Sequence, residues 1–157
     1  MPTIINGFAY PSLSDTQTSP SVKVGTTVNL DDGGQAVYVQ AASTVSTYAA
    51  VSVLVDNTVV PLTTTNSANS KAVGFAQVSI ASASYGWVQI GGKPRVSVAT
   101  ACQPNVPLYT TATAGVLDDA VVSGGLVAGL VATTSAASAS AVTCIAGYVH
   151  VFTGVGG

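Results

Sequence analysis

The residues that could do acid–base or nucleophilic chemistry in this chain are few and widely spaced. There is one histidine, His150, there are two cysteines, Cys102 and Cys144, and there is no glutamate. General acid–base catalysis needs titratable groups gathered in a cleft, whereas His150 stands in an alternating apolar segment, where we expect it to face solvent or an interface. The sequence contains no phosphate-binding, dinucleotide-binding or zinc-protease motif. It therefore predicts a protein that is not an enzyme and has no catalytic residues.

Two pairs of adjacent aspartates, Asp31-Asp32 and Asp118-Asp119, could offer oxygen ligands to a hard cation such as Ca²⁺. Neither pair has EF-hand spacing, and both stand near glycines in segments typical of turns. We therefore predict turns here, with no metal and no cofactor. The two cysteines permit one disulfide. Because the N-terminus lacks the pattern of a secretion signal, we interpret both thiols as small buried hydrophobic groups, and their pairing stays open.

The chain carries very little charge for a protein of 157 residues. Charged residues make up 6% of it, six Asp against three Lys and one Arg, whereas a typical soluble domain has about 25%. Without a cluster of basic residues, we expect no nucleic-acid binding. The most apolar stretch, residues 120–132, is too short to cross a bilayer, so we expect no membrane span. A surface with so few charges predicts a building element covered by contacts with other proteins.

The elements that must position these residues are strands, because β-branched residues alternate with polar ones and strong helix formers are scarce. An Asp-Gly run at residues 31–34 predicts a hairpin, and a Gly-Gly-Lys-Pro turn at residues 91–94 predicts a second strand–turn–strand unit. No internal repeat is evident in the sequence. The predicted strands are residues 22–30, 35–41, 50–55, 58–62, 72–80, 85–90, 95–100, 106–110, 126–132 and 142–152, with turns at 56–57 and 115–119 and a loop at 133–141.

These patterns predict a single-domain, all-β protein, an antiparallel sandwich or barrel of jelly-roll-like or β-tulip-like form. Residues 1–21, rich in Pro, Ser and Thr, are predicted to be an extended N-terminal arm, residues 22–153 the β-rich domain, and residues 154–157 a flexible tail. An immunoglobulin-like sandwich also remains open. The strand order is not predicted.

The candidate interface residues are aromatic or basic. Tyr85 and Trp87 share one face of a predicted strand, and Val88 and Ile90 share the other, so we expect one pair to be core and the other to meet a partner. Trp87 is either a core residue or an interface anchor. Lys93 and Arg95 follow the turn and could meet carboxylates on a partner or simply be solvated. The full set of candidates is Tyr85, Trp87, Lys93 and Arg95, with Phe8 and Tyr10 in the arm.

Two blocks of sequence resemble a known protein class. The first is Tyr-Gly-Trp-Val-Gln at residues 85–89, and the second is Leu-Tyr-Thr-Thr-Ala-Thr-Ala-Gly-Val-Leu-Asp at residues 108–118. Together with neighbouring residues, over roughly residues 25–133, this pattern is similar to that of head decoration, or cement, proteins of tailed bacteriophages. Neither block is a catalytic signature. Because head-binding residues vary across such proteins, the resemblance assigns no interface residue.

The resemblance implies a β-rich virion protein, a homotrimer or homodimer, that binds the major capsid protein on the outer surface of the expanded head and stabilises the shell. Its localisation would be the virion, after assembly in the host cytoplasm. A second hypothesis is another virion part: a tail-tube, fibre or head–tail joining subunit. A third is a bacterial surface adhesin module, which would predict export and a Cys102–Cys144 disulfide.

Overall fold

The chain folds into two closed rings of β-strands, described over residues 12–152 by a computed structural model. The strands in chain order are β1 (Thr16–Gln17), β2 (Thr27–Asn29), β3 (Gln35–Ala41), β4 (Ala50–Val53), β5 (Thr58–Pro61), β6 (Ala72–Ala76), β7 (Tyr85–Gln89), β8 (Arg95–Val98), β9 (Leu108–Thr110), β10 (Leu117–Asp118), β11 (Leu126–Ala132) and β12 (Ser140–Phe152). A short 3-10 helix, Ser67–Asn69, lies between β5 and β6. The predicted all-β fold is confirmed, and it takes the form of barrels.

The first barrel contains β3 to β7. Strand β3 pairs with β7, β7 with β6, β6 with β4, β4 with β5, and β5 returns to β3. Every pair is antiparallel except β3 with β5. Strand β2 extends β3 through the predicted hairpin, and β1 adds to the free part of β7. Small aliphatic side chains fill the interior, namely Val37, Val39, Ala41, Val45, Ala49, Val51, Val53, Val59, Ala76, Ile80 and Val88.

The second barrel contains β8 to β12 and has the same design. Strand β8 pairs with β12, β12 with β11, β11 with β9, β9 with β10, and β10 returns to β8. Again the pair that closes the ring, β8 with β10, is the parallel one. The two barrels therefore have one topology, in which β3 to β7 correspond in order to β8 to β12.

The correspondence extends to individual residue pairs. In the first barrel Ala41 lies opposite Val59, Val53 opposite Val59, Ala76 opposite Val88 and Tyr38 opposite Trp87. In the second barrel the matching pairs are Val98 with Leu117, Thr110 with Leu117, Ala132 with Cys144 and Arg95 with Thr143. The β4–β6 contact differs from its counterpart because β11 has a bulge between Ala128 and Leu130. A structural repeat is thus present that the sequence did not reveal.

Matching loops repeat as well. Tyr48 and Asn105, at equivalent positions before β4 and β9, both have positive φ, 62° and 59°. The Tyr48 amide donates to the Ala76 carbonyl at 2.8 Å, and the Asn105 amide donates to the Ala132 carbonyl at 3.0 Å. Positive φ is uncommon in residues with a side chain and costs energy. Its recurrence at one place in each barrel supports the structural equivalence.

Part of the predicted arm lies against the first barrel. Residues 16–17 form β1, and Leu13 is almost fully buried. Leu13 joins Val28, Leu30, Ala36, Tyr38 and Trp87 in a cluster on the outer surface of β3 and β7. Residues 1–11 lie outside the described part of the chain, so only residues 12–21 of the predicted arm are described.

Several predicted elements differ in extent or connection. The strand predicted at residues 22–30 is confined to β2, because Gly25 has a φ of +89° and the Thr26 amide closes a turn onto the Lys23 carbonyl. Residues 117–118, predicted as part of a turn, form β10. The predicted strand–turn–strand unit across residues 91–94 was wrong. Its two strands, β7 and β8, belong to different barrels, and Gly91 and Gly92 connect the barrels.

Candidate interface surfaces

The aromatic pair Tyr85 and Trp87 lies against the chain's own residues. Trp87 is fully buried, with its ring 5.1 Å from that of Tyr38, and Tyr85 is half-buried and stacks on Tyr38 at 6.1 Å. The Tyr38 hydroxyl donates to Oε1 of Gln17 at 2.8 Å. Trp87 is therefore a core residue rather than an interface anchor.

The opposite face of β7 is also covered. Val88 is fully buried inside the first barrel, and Ile90 packs against the same cluster. The expectation that one face of this strand meets an outside partner was wrong. The physical reason is that β7 stands between a barrel interior and the cover provided by residues 13–30.

The two basic candidates stay at the surface. Lys93 and Arg95 are exposed, and the Arg95 guanidinium lies 4.8 Å from the ring centre of Tyr48 while its Nη2 donates to the Ala141 carbonyl at 3.0 Å. The Lys93 amide donates to Oδ2 of Asp32 at 2.7 Å, which fixes the connection between the barrels. Both side chains remain candidates for a partner contact. Phe8 and Tyr10 lie outside the described residues.

The surface features that sequence reasoning missed are apolar. In the described part of the chain, five large hydrophobic side chains are exposed, namely Val55, Val121, Val131, Ile145 and Tyr148. Val131 and Ile145 lie opposite each other on β11 and β12 and point away from the barrel interior. A signal was available in the sequence, because β11 has apolar residues at successive positions, which leaves apolar side chains on both faces of the strand.

Two grooves mark this surface. One, of about 390 Å³, is lined by Asn105, Val106, Pro107 and residues 126–131, on the outer side of β11 in the second barrel. The other, of about 280 Å³, lies where the barrels meet and is lined by residues 33–35, 90–92 and 146–148. The first is lined mainly by aliphatic side chains and the second largely by glycine backbone. Apolar grooves on a chain with so few charges are suited to contacts with another protein.

The one group of three potential metal ligands found within residues 12–152 is Cys102 with Asp118 and Asp119, whose ligand atoms lie within 4.8 Å of one another. Burial, followed by the two neighbouring carboxylates, raises the pKa of the Cys102 thiol. The thiolate is the form that binds metals, so this cysteine is protonated near neutral pH. Oδ2 of Asp119 accepts the Gln103 amide at 3.0 Å. Asp118 thus ends β10, and Asp119 after it holds the loop at Gln103 through this hydrogen bond.

The remaining candidate groups lie apart from this cluster or deeper in the core. Cys144 is buried, and desolvation followed by the nearby Cys102 raises the pKa of its thiol to about 12. Both cysteines are free thiols in this structure. The His150 ring is half-buried at the edge of β12, 5.6 Å from the Tyr148 ring. The surface therefore offers a group of apolar side chains for contact.

The fold and this surface define an all-β protein of two small barrels with an exposed apolar wall. Among the described residues, no helix is long and apolar enough to cross a membrane. No protein-family model matches the chain, and no relative is found among curated proteins.

Proposed function

We propose that this protein is a capsid decoration protein, which binds the outer surface of the expanded head of a tailed bacteriophage as an oligomer and stabilises the shell. Its partners are the major capsid protein and further copies of itself, and its place is the outside of the virion, reached by assembly in the host cytoplasm. The observation that carries the proposal is an exposed apolar wall, around Val131 and Ile145, on a chain with 6% charged residues.

The two sequence blocks that resemble decoration proteins lie in buried or internally packed elements of the fold. Residues 85–89 are β7, which is buried on both faces, and residues 108–118 run from β9 to β10 through the turn that contacts the first barrel. Both blocks are therefore scaffold. The resemblance therefore concerns the fold, and it assigns no residue of the binding surface.

The physical logic of a cement protein fits these features. A shell under internal pressure comes apart by relative motion of its subunits, and a bridge repeated by symmetry opposes that motion at every junction. Modest affinity at each contact then accumulates through multivalency. Apolar contacts with few ion pairs also keep their strength as the salt concentration changes.

Co-sedimentation tests the proposal directly. Purified protein is mixed with expanded phage heads that lack it, at low and high salt, with unexpanded heads as the matched control. We expect saturable binding to expanded heads, with an occupancy that gives the number of copies per shell and little change between the two salt concentrations. Absence of binding would sink the proposal.

The same preparation separates the alternatives. A tail-tube subunit would polymerise into rings or tubes without heads, whereas a decoration protein stays a discrete oligomer. An adhesin module with a Cys102–Cys144 disulfide would weigh two mass units less before reduction than after it. Both thiols are buried and unpaired in this structure.

A further inference from the structure

The repeat shows how one wall of a barrel is covered. In the first barrel, Ala50, Leu62, Val73 and Phe75 point outward from β4, β5 and β6, and all four are fully buried. They belong to the same apolar cluster as the interior of the second barrel. The second barrel thus covers the wall formed by β4 and β6 within a single chain.

A turn of the second barrel makes this contact. The Gly115 carbonyl accepts the Ala50 amide at 2.9 Å, and the Gly115 amide donates to the Leu62 carbonyl at 2.8 Å. The Thr64 amide donates to the Thr111 carbonyl at 3.0 Å. The turn between β9 and β10 is therefore seated on the wall of the first barrel.

Within residues 12–152, the second barrel has the same wall without a cover. By the register of the strands, its positions equivalent to Ala50, Leu62, Val73 and Phe75 are Pro107, Ala120, Leu126 and Val131. All four are again apolar. Yet Pro107 and Ala120 are exposed, Leu126 is half-exposed and Val131 is 41% exposed. The groove of about 390 Å³ lies on this wall and is lined by three of the four residues.

The neighbouring outer surface of the second barrel differs in chemistry from its counterpart in the first barrel. On the neighbouring outer surface, the Tyr38 and Trp87 pair of the first barrel is replaced by Arg95 and Thr143, which suit contact with water. Ile145, on the same face of β12 as Thr143, is 54% exposed, so this surface is mixed in chemistry. The wall of β9 and β11 keeps the apolar character of a covered surface although nothing in residues 12–152 covers it.

The first barrel has a turn that corresponds to the β9–β10 turn, and its tip is exposed to solvent. The turn between β4 and β5 is equivalent to the one that carries Gly115, and Asn57 has a φ of 64° where Gly115 has 75°. At its tip Val55 is 82% exposed. Hydrogen bonds hold the turn in shape: the Thr58 amide and hydroxyl donate to Oδ1 of Asp56 at 3.0 and 2.7 Å, and Lys71 donates to Oδ1 of Asn57 at 2.6 Å. A turn already fixed in shape loses little conformational entropy on docking.

We propose that the groove on β9 and β11 binds the β4–β5 turn of a second copy of this chain, as the wall of β4 and β6 within each chain binds the β9–β10 turn. Each chain has two such walls and two such turns. One wall and one turn contact each other within the chain, which leaves one of each for contact with another copy. This head-to-tail contact uses different surfaces on the two copies, so it closes into a ring or continues as a filament. This inference rests on the proposed function in one respect, because it names the surfaces through which the proposed oligomer forms.

One detail distinguishes the intermolecular contact from the internal one. Pro107 stands where Ala50 donates its amide, and proline has no amide hydrogen. The exposed wall therefore leaves no unpaired donor at that position. Asn57 stands where Gly115 accepts the Ala50 amide, so the proposed contact has no counterpart of that hydrogen bond and is made through apolar groups such as Val55.

The test compares three aspartate variants by sedimentation velocity over a range of protein concentrations. Val131→Asp places a charge in the groove, Val55→Asp places one on the turn, and Tyr148→Asp is the matched control, since Tyr148 is 76% exposed and lines the other groove. Burying an unpaired charge is costly, so we expect the first two to weaken self-association by roughly a hundredfold or more. The control should assemble like the wild type. Because all three positions are exposed, thermal melting should show that each variant folds.

Mixing the two interface variants tests the head-to-tail geometry. The Val55→Asp chain keeps an intact groove and the Val131→Asp chain keeps an intact turn, so together they should form a one-to-one dimer, whereas each alone is a monomer. A mixture that stays monomeric would overturn the head-to-tail arrangement. Wild-type oligomers that persist in both variants would overturn the assignment of the surface while leaving the proposed function standing.

A wild-type chain that is monomeric at every concentration would overturn the inference as well. Binding to expanded heads, measured separately, decides the proposed function in that case. The same experiment on all variants therefore separates a failure of the inference from a failure of the function.

Discussion

The two barrels of this protein have the same strand order and nearly the same register, yet their outer surfaces differ. Inside, both are filled by small aliphatic residues such as Val39 and Val98. Outside, the first barrel is covered on both of its large apolar surfaces, by residues 13–30 on one side and by the second barrel on the other. The two barrels share an aliphatic interior and a topology, whereas the side chains on the outer positions determine which surfaces each barrel contacts.

The outer surface of β3 and β7 illustrates a change that matches its surroundings. Tyr38 and Trp87 lie opposite each other in the first barrel, and both are buried. Arg95 and Thr143 take their places in the second barrel, and both are exposed. At these positions the side-chain chemistry matches the exposure, aromatic where buried and polar where exposed. We therefore expect an exposed position that is still apolar to contact a partner.

The wall of β9 and β11 is that exception. It keeps apolar residues where the first barrel buries them, and Val131 remains 41% exposed. Solvent exposure of a continuous apolar surface is unfavourable. This is why the comparison of the two barrels leads to a docking surface for a second copy.

The largest expected loss of stability that tests the difference between the two barrels is at Trp87. Trp87→Ala should destabilise the protein by about 3–5 kcal/mol, because it empties a fully buried aromatic site. The equivalent substitution in the second barrel, Thr143→Ala, should change stability by less than about 0.5 kcal/mol. Urea unfolding of both variants measures the difference, and equal losses would contradict the assignment of one covered and one open surface.

The contact between the barrels is tested at Gly115. A Cβ at this position would lie 2.6 Å from that of Ala49, and its φ of +75° disfavours any side chain. Gly115→Ala should therefore cost about 2–4 kcal/mol. Gly33→Ala is the control, since its φ is +81° but its Cβ would meet nothing within 4 Å, and it should cost only about 1–2 kcal/mol. A larger loss at Gly33 than at Gly115 in thermal melting would count against the packing of the turn.

Alkaline pH sharpens the comparison of the two cores, because Cys144 in the second barrel takes the place of Val88 in the first. Burial raises the pKa of Cys144 from 9.0 to about 12. The folded state therefore holds this proton more tightly, and the contribution is complete below pH 9 and lost as the pH rises toward 12. Stability should fall over that window by up to about 1.4 kcal/mol per pH unit from this thiol.

Cys144→Ala should make the fall with pH shallower than in the wild type, as measured by unfolding at pH 8, 9 and 10. Cys102→Ala serves as the comparison, since the pKa of Cys102 is raised in the same direction in a more open site. An unchanged pH profile in Cys144→Ala would show that this thiol is not buried in the folded state.

The smallest expected effect concerns Arg95, the residue that replaces Tyr38. Arg95→Gln removes its contact with the Tyr48 ring and should cost about 0.5–1 kcal/mol. Lys93→Gln, a neighbouring exposed cation, should be neutral within about 0.5 kcal/mol. Thermal melting of the pair would contradict this account if Lys93→Gln were the more damaging change.

The sequence predicted the strands well and their arrangement poorly. Alternation along residues 35–41 and 126–132 identified β3 and β11 with their bounds, and Asp31 to Gly34 identified the hairpin. Which strands pair across the chain depends on packing that no local pattern records. The repeat was hidden because its interior positions share only generic Val and Ala, while the outer positions, such as Trp87 and Thr143, have diverged.

The candidate surface was harder to predict for the same reason. Trp87 and Tyr85 were chosen for their residue types, but a tryptophan in a strand has the same sequence pattern whether its cover comes from its own chain or from a partner. Val131 and Val55, by contrast, are ordinary valines. Their interest arises only from exposure and from the equivalent positions in the other barrel, which are three-dimensional properties.

The measurement that tests the account most directly is the thermal release of DNA from filled phage heads, with and without this protein bound to saturation. We predict that bound protein raises the temperature at which packaged DNA becomes accessible to a dye, in proportion to occupancy. The increase should be smaller with Val131→Asp than with Tyr148→Asp. Heads that bind the protein to saturation but release DNA at the same temperature as bare heads would contradict a stabilising role.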